Sequence, residues 1–155
     1  MRQPITPDKA LLKLADLCST GERCTWELRE KLRKWGIFSA DAEKIMVELI
    51  DRKFVDDHRY ARAFVHDRIT FRQQGKRLIQ RDLILKRIPK DIIAEAFADI
   101  DPDQYRQNLA DIMAKKLRQV GGDINDYDTR NKVMRFAAGR GYEPSLIFDI
   151  IDKIS

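Results

Sequence analysis

The chain has 155 residues, which is enough for one domain with a substantial buried core. Hydrophobic residues make up 43% and charged residues 35%, a balance typical of a helix-rich soluble protein rather than a disordered one. No stretch approaches the roughly 20 apolar residues that cross a bilayer, and the first ten residues lack the apolar segment of a signal peptide. We therefore expect a cytoplasmic protein with no membrane partner.

Apolar residues recur at helical spacing throughout, and no convincing alternating strand pattern is found. The first predicted helix runs from Ala10 to Cys18 and is ended by Gly21. The second lies in residues 28–37, LREKLRKWGI, and reaches a glycine turn at its end. Ser39 then caps the third helix of this group.

The middle of the chain repeats this order of elements. A predicted helix runs from Arg59 to Arg72, and Gly75 is expected to end it. Residues 79–88, IQRDLILKRI, match the earlier turn segment, with Arg87 in the position of its glycine. Pro89 suits the opening of the next apolar helix.

The last third of the chain shows the same order again. A predicted helix runs from Tyr105 to Leu117 and ends at Gly121–Gly122. Residues 133–142, VMRFAAGRGY, supply the third turn segment, and Pro144 opens the final helix. The acid-rich loop before them is expected to end at Asp128 or Thr129, either of which could cap the following helix.

The turn segments lie 51 residues apart (36 to 87) and 54 residues apart (87 to 141). This period predicts an all-α protein, an elongated and curved array of three tandem three-helix repeats. The predicted repeats are 1–55, 56–101 and 102–155. A compact bundle of nine helices is the alternative.

The stretch VDDHRYARAF, residues 55–64, allows two interpretations. Asp56 or Asp57 can cap the helix that follows, because its carboxylate accepts from the first free N–H groups. Alternatively, the two acids and His58 could begin a metal or acid–base site. His66 lies eight residues further on, and no third histidine or cysteine completes a zinc shell, so we favour the cap.

Cys18 and Cys24 are the two cysteines of the sequence. Two thiols without an export signal do not indicate a disulfide framework, and a zinc site would lack ligands. The nucleotide-binding, hydrolase and metalloprotease motifs are also missing. We therefore expect two free thiols, no metal, no cofactor and no enzymatic activity.

The net charge of +5 is distributed unevenly along the chain. Residues 1–51 are neutral overall, residues 91–155 carry −3, and residues 52–90 hold twelve basic and four acidic side chains, a net +8. Such a basic centre indicates a polyanionic partner or an acidic protein surface. Arginine predominates there, and its planar guanidinium suits phosphate and carboxylate. A solvated face without a partner is the alternative.

Four segments of the sequence resemble the RecX family of bacterial recombination regulators. They are ELREKLRKWGI, VDDHRYARAFVHDRI, GKRLIQRDL and KVMRFAAGRGY, and the resemblance runs from about Ala10 to Ile154. The acidic pair followed by an aromatic-Ala-Arg-x-Phe run is the most specific of them. One departure is Arg87, where that family usually has glycine; the arginine could alter the turn or add a cation to a contact surface.

The resemblance implies a modulator of the RecA recombinase. Members of that family bind the RecA–DNA filament, typically in its helical groove, and suppress ATP hydrolysis and strand exchange. Several also bind single- and double-stranded DNA weakly and without sequence preference. The expected protein is a non-catalytic monomer that acts on recombination and DNA repair.

We assign the binding role to the cations of the middle repeat. Arg77 and Arg81 lie four residues apart on one predicted helix, an arrangement of like charges that costs roughly 0.2–0.5 kcal/mol in an isolated helix. At the position of Arg81, the first repeat has Glu30. The candidate RecA- and DNA-binding residues are Arg59, Arg62, Arg68, Arg72, Lys76, Arg77, Arg81, Lys86 and Arg87.

Two other functions remain open from the residues alone. A helix-turn-helix transcription regulator would read duplex DNA in the major groove and bind a specific sequence. A metal-dependent nuclease could be assembled from scattered acids, although no spacing in the sequence requires one.

Overall fold

The computed structural model describes residues 5–154, which form nine α-helices and contain no strand. Three successive groups of three helices confirm the predicted all-α class and the tandem repeats. The division at residues 55 and 101 and the curvature of the array stay predictions. The helices are α1 (Pro7–Thr20), α2 (Thr25–Lys34), α3 (Ser39–Asp51), α4 (Asp57–Thr70), α5 (Lys76–Leu85), α6 (Lys90–Ala98), α7 (Pro102–Val120), α8 (Tyr127–Gly139) and α9 (Pro144–Ile151).

Asp56 is the N-cap of α4, as the sequence predicted. One of its carboxylate oxygens accepts from the backbone N–H of His58 at 2.9 Å and of Arg59 at 3.2 Å. Gly121 ends α7 with a left-handed φ of 76°, and Pro144 occupies the first turn of α9. Asp56 therefore serves to start a helix, which is the interpretation that the sequence favoured for this stretch.

Three predictions of helix boundaries, two starts and one end, were wrong. Ser39 is the first residue of α3, and Phe38 precedes it without a side-chain cap. Gly75 does not end α4 but lies at the N-cap of α5, because backbone contacts with the third repeat fix its position. Asp126, rather than Asp128 or Thr129, caps α8 by accepting from Thr129.

The turns between the second and third helices of each repeat share one backbone conformation. Their central residues, Gly36, Arg87 and Gly141, have positive φ angles of 77°, 62° and 99°. In each turn the next residue donates its N–H to the carbonyl five residues earlier, at 2.9, 3.1 and 3.3 Å respectively. This pattern satisfies the last carbonyls of a helix. Arg87 therefore keeps the turn that glycine forms elsewhere, and it adds an exposed cation.

Replacing Arg87 by glycine is expected to stabilise the fold by about 0.5–1 kcal/mol. A left-handed conformation costs a non-glycine residue roughly 1–2 kcal/mol, and the larger unfolded-state entropy of glycine offsets part of that gain. Urea denaturation followed by circular dichroism measures the difference. A lower free energy of unfolding in Arg87→Gly would show that the arginine side chain, rather than the backbone conformation, determines stability at this turn.

The buried side chains form two hydrophobic cores. The first repeat has its own core, in which Leu14 of α1 and Leu32 of α2 are fully buried. The second and third repeats share one core, which includes Leu83 of α5, Leu109 of α7 and Tyr142. Among residues 5–154, no hydrogen bond or ion pair joins the first repeat to the third. Each repeat thus bonds only to its neighbour, as in a linear array.

The first and second repeats meet through polar contacts around the start of α2. Asp57 accepts from both the backbone N–H of Thr25, at 2.8 Å, and its hydroxyl, at 2.7 Å. Cys24 is fully buried in the core of the neighbouring repeats, and burial raises the pKa of its thiol to about 12. Its sulfur lies 3.8 Å from the carbonyl oxygen of Lys86. The Cys24 side chain therefore fills a repeat junction.

The second and third repeats meet through their backbones at the corresponding place. Gly75 donates its N–H to the carbonyl of Arg140 at 2.8 Å, and Arg77 donates to the carbonyl of Gly141 at 3.0 Å. The Tyr142 hydroxyl donates to the carbonyl of Gln73 at 2.9 Å. The acceptor in each of these bonds is a backbone carbonyl, whereas the first junction uses the carboxylate of Asp57.

Within residues 5–154, none of the helices has the length and apolar composition needed to cross a membrane. The same residues contain no group of three histidine, cysteine, aspartate or glutamate side chains placed to hold a metal ion. Cys18 and Cys24 are both free thiols.

Candidate binding surface

Three of the nine candidate cations are held by contacts within the chain. Arg59 is the first of them: its Nε lies 2.6 Å from a carboxylate oxygen of Glu22 in the first repeat. Its Nη2 donates to the carbonyls of Lys53 and Phe54 at 3.1 and 3.2 Å. The hydrogen bond to Glu22 raises the pKa of the Arg59 guanidinium above its usual value. This side chain thus connects two repeats and the link between them.

Arg68 and Lys86 are also held within the chain. Arg68 donates to Asp82 at 3.1 Å, and its guanidinium lies 4.3 Å from the ring centroid of Phe64. The ammonium of Lys86 lies 3.4 Å from a carboxylate oxygen of Glu27 and 5.5 Å from the Trp26 ring centroid. Both side chains are partly buried, so they hold helices and repeats together instead of presenting charge outward.

Two further candidates are partly neutralised or shielded. Arg62 is exposed, but it lies 3.3 Å from Glu95 of α6. The ammonium of Lys76 lies 4.8 Å from the ring centroid of Tyr105 at the start of α7. Burial raises the pKa of Tyr105, so its hydroxyl stays protonated and donates to Glu143.

Four candidates form the exposed basic surface, which we define as Arg72, Arg77, Arg81 and Arg87. In the part of the chain that the structure describes, three of these guanidiniums have no acidic partner. Arg81 contacts Asp82 at 3.2 Å, but that carboxylate is shared with Arg68. Charge without a partner on one repeat is available to an outside anion.

The outer face of α5 combines this charge with apolar side chains. Ile84 and Leu85 are 47% and 64% exposed and lie within one turn of Arg81. The equivalent positions hold Arg33 and Lys34 in the first repeat and Ala138 and Gly139 in the third. The fold therefore does not require large apolar residues at these positions.

A second basic site, which the sequence analysis missed, lies in the third repeat. Lys115, Lys116 and Arg140 line a cleft of about 350 Å³ between α7 and α8, together with Gln73 and the partly buried ring of Phe136. Arg140 also donates to the carbonyl of Arg72, which connects this cleft to the exposed basic surface. The adjacent lysines of α7 can be read in the sequence, but the net charge of −3 over residues 91–155 drew no attention to them.

The third helices of the first and second repeats do not suit major-groove reading. In the second repeat, α6 exposes Asp91 and Glu95 against Lys90 alone. In the first repeat, α3 exposes Asp41, Glu43 and Asp51 against one lysine. Duplex DNA repels such faces, since a recognition helix approaches the phosphate backbones on both sides of the groove. This charge distribution argues against a helix-turn-helix transcription regulator.

Comparisons with known proteins agree with the repeat structure. A family model described as "RecX, second three-helix domain" matches residues 56–96, and one described as "RecX, third three-helix domain" matches residues 103–151. Among curated proteins, the Regulatory protein RecX of Mycolicibacterium vanbaalenii is 31% identical over 140 residues, which cover 87% of this chain and 76% of that protein. The Regulatory protein RecX of Clostridium botulinum strain Eklund 17B is 30% identical over 128 residues. Those residues cover 82% of this chain and 59% of that relative's length.

Solved structures show the same fold. The crystal structure of RecX from Lactobacillus salivarius superposes with a TM-score of 0.86 at 21% identity, and the match covers 96% of each chain. A second structure, titled "Crystal structure of regulatory protein RecX", gives a TM-score of 0.83 at 22% identity over 95% of this chain and 71% of that one. With two family models matched and relatives at 30% identity or more, this chain belongs to the RecX family of regulatory proteins.

Proposed function

We propose that this chain binds the RecA–DNA filament in its helical groove and inhibits RecA ATPase and strand exchange, thereby modulating recombination and DNA repair. The observation that carries the proposal is the exposed basic surface of the second repeat, in which three of the four arginines lack an acidic partner within residues 5–154. Membership of a family of regulatory proteins supports a role without catalysis. The proposed partner is thus a polyanionic nucleoprotein.

Two kinds of contact follow from the two basic sites. The face of α5 pairs Arg77 and Arg81 with exposed Ile84 and Leu85, which suits an acidic and partly apolar protein surface. The cleft between α7 and α8 contains lysines and an arginine but no acid, which suits DNA phosphates. Binding through phosphates alone is independent of sequence and weakens as salt rises.

Inhibition is proposed to be steric and electrostatic. A linear array in which each repeat bonds only to its neighbour can contact more than one RecA protomer along the groove. Separate contacts on one body act at high effective concentration, so a single monomer can oppose the movements of several protomers. The proposal therefore predicts inhibition at less than one chain per RecA protomer, without any catalytic step.

The test is the DNA-dependent ATPase rate of preformed RecA filaments with substoichiometric amounts of this chain. We expect a lower rate at well below one chain per RecA protomer, since each bound chain constrains neighbouring protomers. Fluorescence anisotropy with two unrelated DNA sequences, at low and moderate salt, should show equal, weak and salt-sensitive binding. An unchanged ATPase rate together with tight binding to one sequence would replace this proposal by the transcription-regulator alternative.

A further inference from the structure

A cleft of about 420 Å³ lies where the second repeat meets the third. Its walls come from α4, from the end of α6 and from the first turn of α7. The apolar floor consists of Val65, Ile69 and Ala96, which are 1%, 5% and 2% exposed, and the partly buried Ile100. The shared core thus has a recessed apolar surface that opens to solvent, separate from the exposed basic surface.

The mouth of this cleft is rich in hydrogen-bond acceptors. Asp99 and Asp101 line it, and neither has an ion-pair partner among residues 5–154. Asp101 uses Oδ1 to cap α7 by accepting from the backbone N–H of Asp103 at 3.0 Å, which leaves its other oxygen available. Gln104 donates its amide to Asn108 at 2.8 Å, so its carbonyl oxygen is also available.

Two basic groups at the rim do not cancel this charge. Arg62 is held by Glu95 at 3.3 Å, and the same carboxylate lies 3.1 Å from Nδ1 of His58. The ring of His66 lies perpendicular to the ring of Phe71, with centroids 6.2 Å apart. The two aspartates therefore make the mouth of the cleft negatively charged. Such a site suits a cationic group whose apolar part can cover the floor.

We propose that this cleft receives an arginine side chain from a protein partner. The methylene stem of arginine covers apolar surface while its guanidinium stays among polar groups. The five N–H donors of its planar fork can bond to several acceptors at once, as Asp99, Asp101 and Gln104 offer, whereas the three donors of lysine radiate from one point. This inference rests on the proposed function, because the partner that carries the arginine is the RecA filament. The cleft would be a second contact with that filament, beside the exposed basic surface.

The cleft also gives the chain a contact of opposite sign to the exposed basic surface. Gln104 lies in the first turn of α7, and Lys115 and Lys116 of the basic cleft lie eleven and twelve residues later on the same helix. At about 1.5 Å per residue, the acidic and basic clefts are separated by roughly 17 Å along the helix axis. Such alternation of charge fixes the orientation of a partner more than it raises raw affinity.

A titration of the isolated chain tests the cleft without any partner. Nα-acetyl-arginine methylamide and the neutral analogue Nα-acetyl-citrulline methylamide are added while amide signals are recorded by NMR. We expect the arginine compound to shift the amides of Ile69, Ala96 and Ile100 at millimolar concentration, and citrulline to shift them far less. Equal shifts by both compounds, or none by either, would overturn the proposal.

The matching variant is Asp99→Asn with Asp101→Asn. Asparagine caps helices about as well as aspartate, so α7 keeps its N-cap while the mouth loses two charges. The variant should lose the response to the arginine compound and bind RecA–DNA filaments about tenfold more weakly. The control, Asp16→Asn with Asp41→Asn, removes two exposed charges from the first repeat and should bind like the wild type.

The outcomes separate this inference from the proposed function. If the wild-type chain binds filaments and the Asp99/Asp101 variant binds equally well, the cleft proposal is wrong and the function stands. If the wild-type chain does not bind filaments, the proposed function is wrong, and the arginine titration alone decides whether the cleft binds arginine.

Discussion

Reversal of Arg77 and Arg81 to glutamate is expected to abolish inhibition of RecA while the helical circular dichroism spectrum stays unchanged. Both side chains are exposed on α5. Among residues 5–154, the Arg81 side chain pairs only with the neighbouring Asp82, which keeps its 3.1 Å contact with Arg68. Like charges placed against a partner cost several kcal/mol, so filament affinity should fall by about 100-fold. The ATPase rate of preformed filaments, titrated with wild-type and variant chains, gives the comparison.

The matched control reverses two cations on the corresponding helix of the first repeat, Arg33 and Lys34. It makes the same change in net charge at exposed positions, and the surface pair of Arg33 with Glu30 at 3.0 Å contributes little to stability. We expect this control to inhibit RecA nearly as well as the wild type. Equal loss of inhibition in both variants would mean that net charge matters and that α5 is not a specific contact.

The regular features of the fold were predictable because they recur. Apolar residues at helical spacing predict the helices, and the recurring turn position reveals the repeats. That position is left-handed at Gly36, Arg87 and Gly141 alike. An arginine in such a turn breaks the local residue preference, and only the alignment of the three repeats indicates that the turn persists.

The uses of the individual cations were not predictable, because their partners are distant in sequence. Arg68 pairs with Asp82 across 14 residues, Arg59 with Glu22 across 37, and Lys86 with Glu27 across 59. The first contact forms only when α4 packs on α5, and the other two form only when the first and second repeats stack. A count of charges along the chain therefore cannot separate structural arginines from exposed ones. The basic cleft of α7 and α8 was missed for the related reason that an average over a segment conceals a local cluster.

Replacing Gly75 by alanine is expected to lower the free energy of unfolding by about 3–4 kcal/mol, a large effect for one methyl group. The φ angle of Gly75 is −86°, which alanine adopts without strain. Its Cβ, however, would lie 2.2 Å from the carbonyl carbon of Gly141 and 2.3 Å from the backbone nitrogen of Tyr142. Backbone atoms cannot rotate away as a side chain can, so the repeats must separate and lose the Gly75 to Arg140 hydrogen bond.

Two glycine controls separate this clash from the other effects of the substitution. Gly21 has an extended φ of 166°, and a Cβ added there would meet open space, so Gly21→Ala should leave stability within about 0.5 kcal/mol of the wild type. Gly36 has equally open space but a φ of +77°, so Gly36→Ala should lower the free energy of unfolding by about 0.5–1 kcal/mol, because the smaller unfolded-state entropy of alanine offsets part of the cost of the left-handed backbone. Urea denaturation of the three variants ranks them.

A Gly75→Ala variant as stable as Gly21→Ala would mean that the second and third repeats do not pack backbone against backbone. The basic cleft, which includes Gln73 and Arg140 from the two sides of that junction, would then lack the rigid junction that brings its walls together.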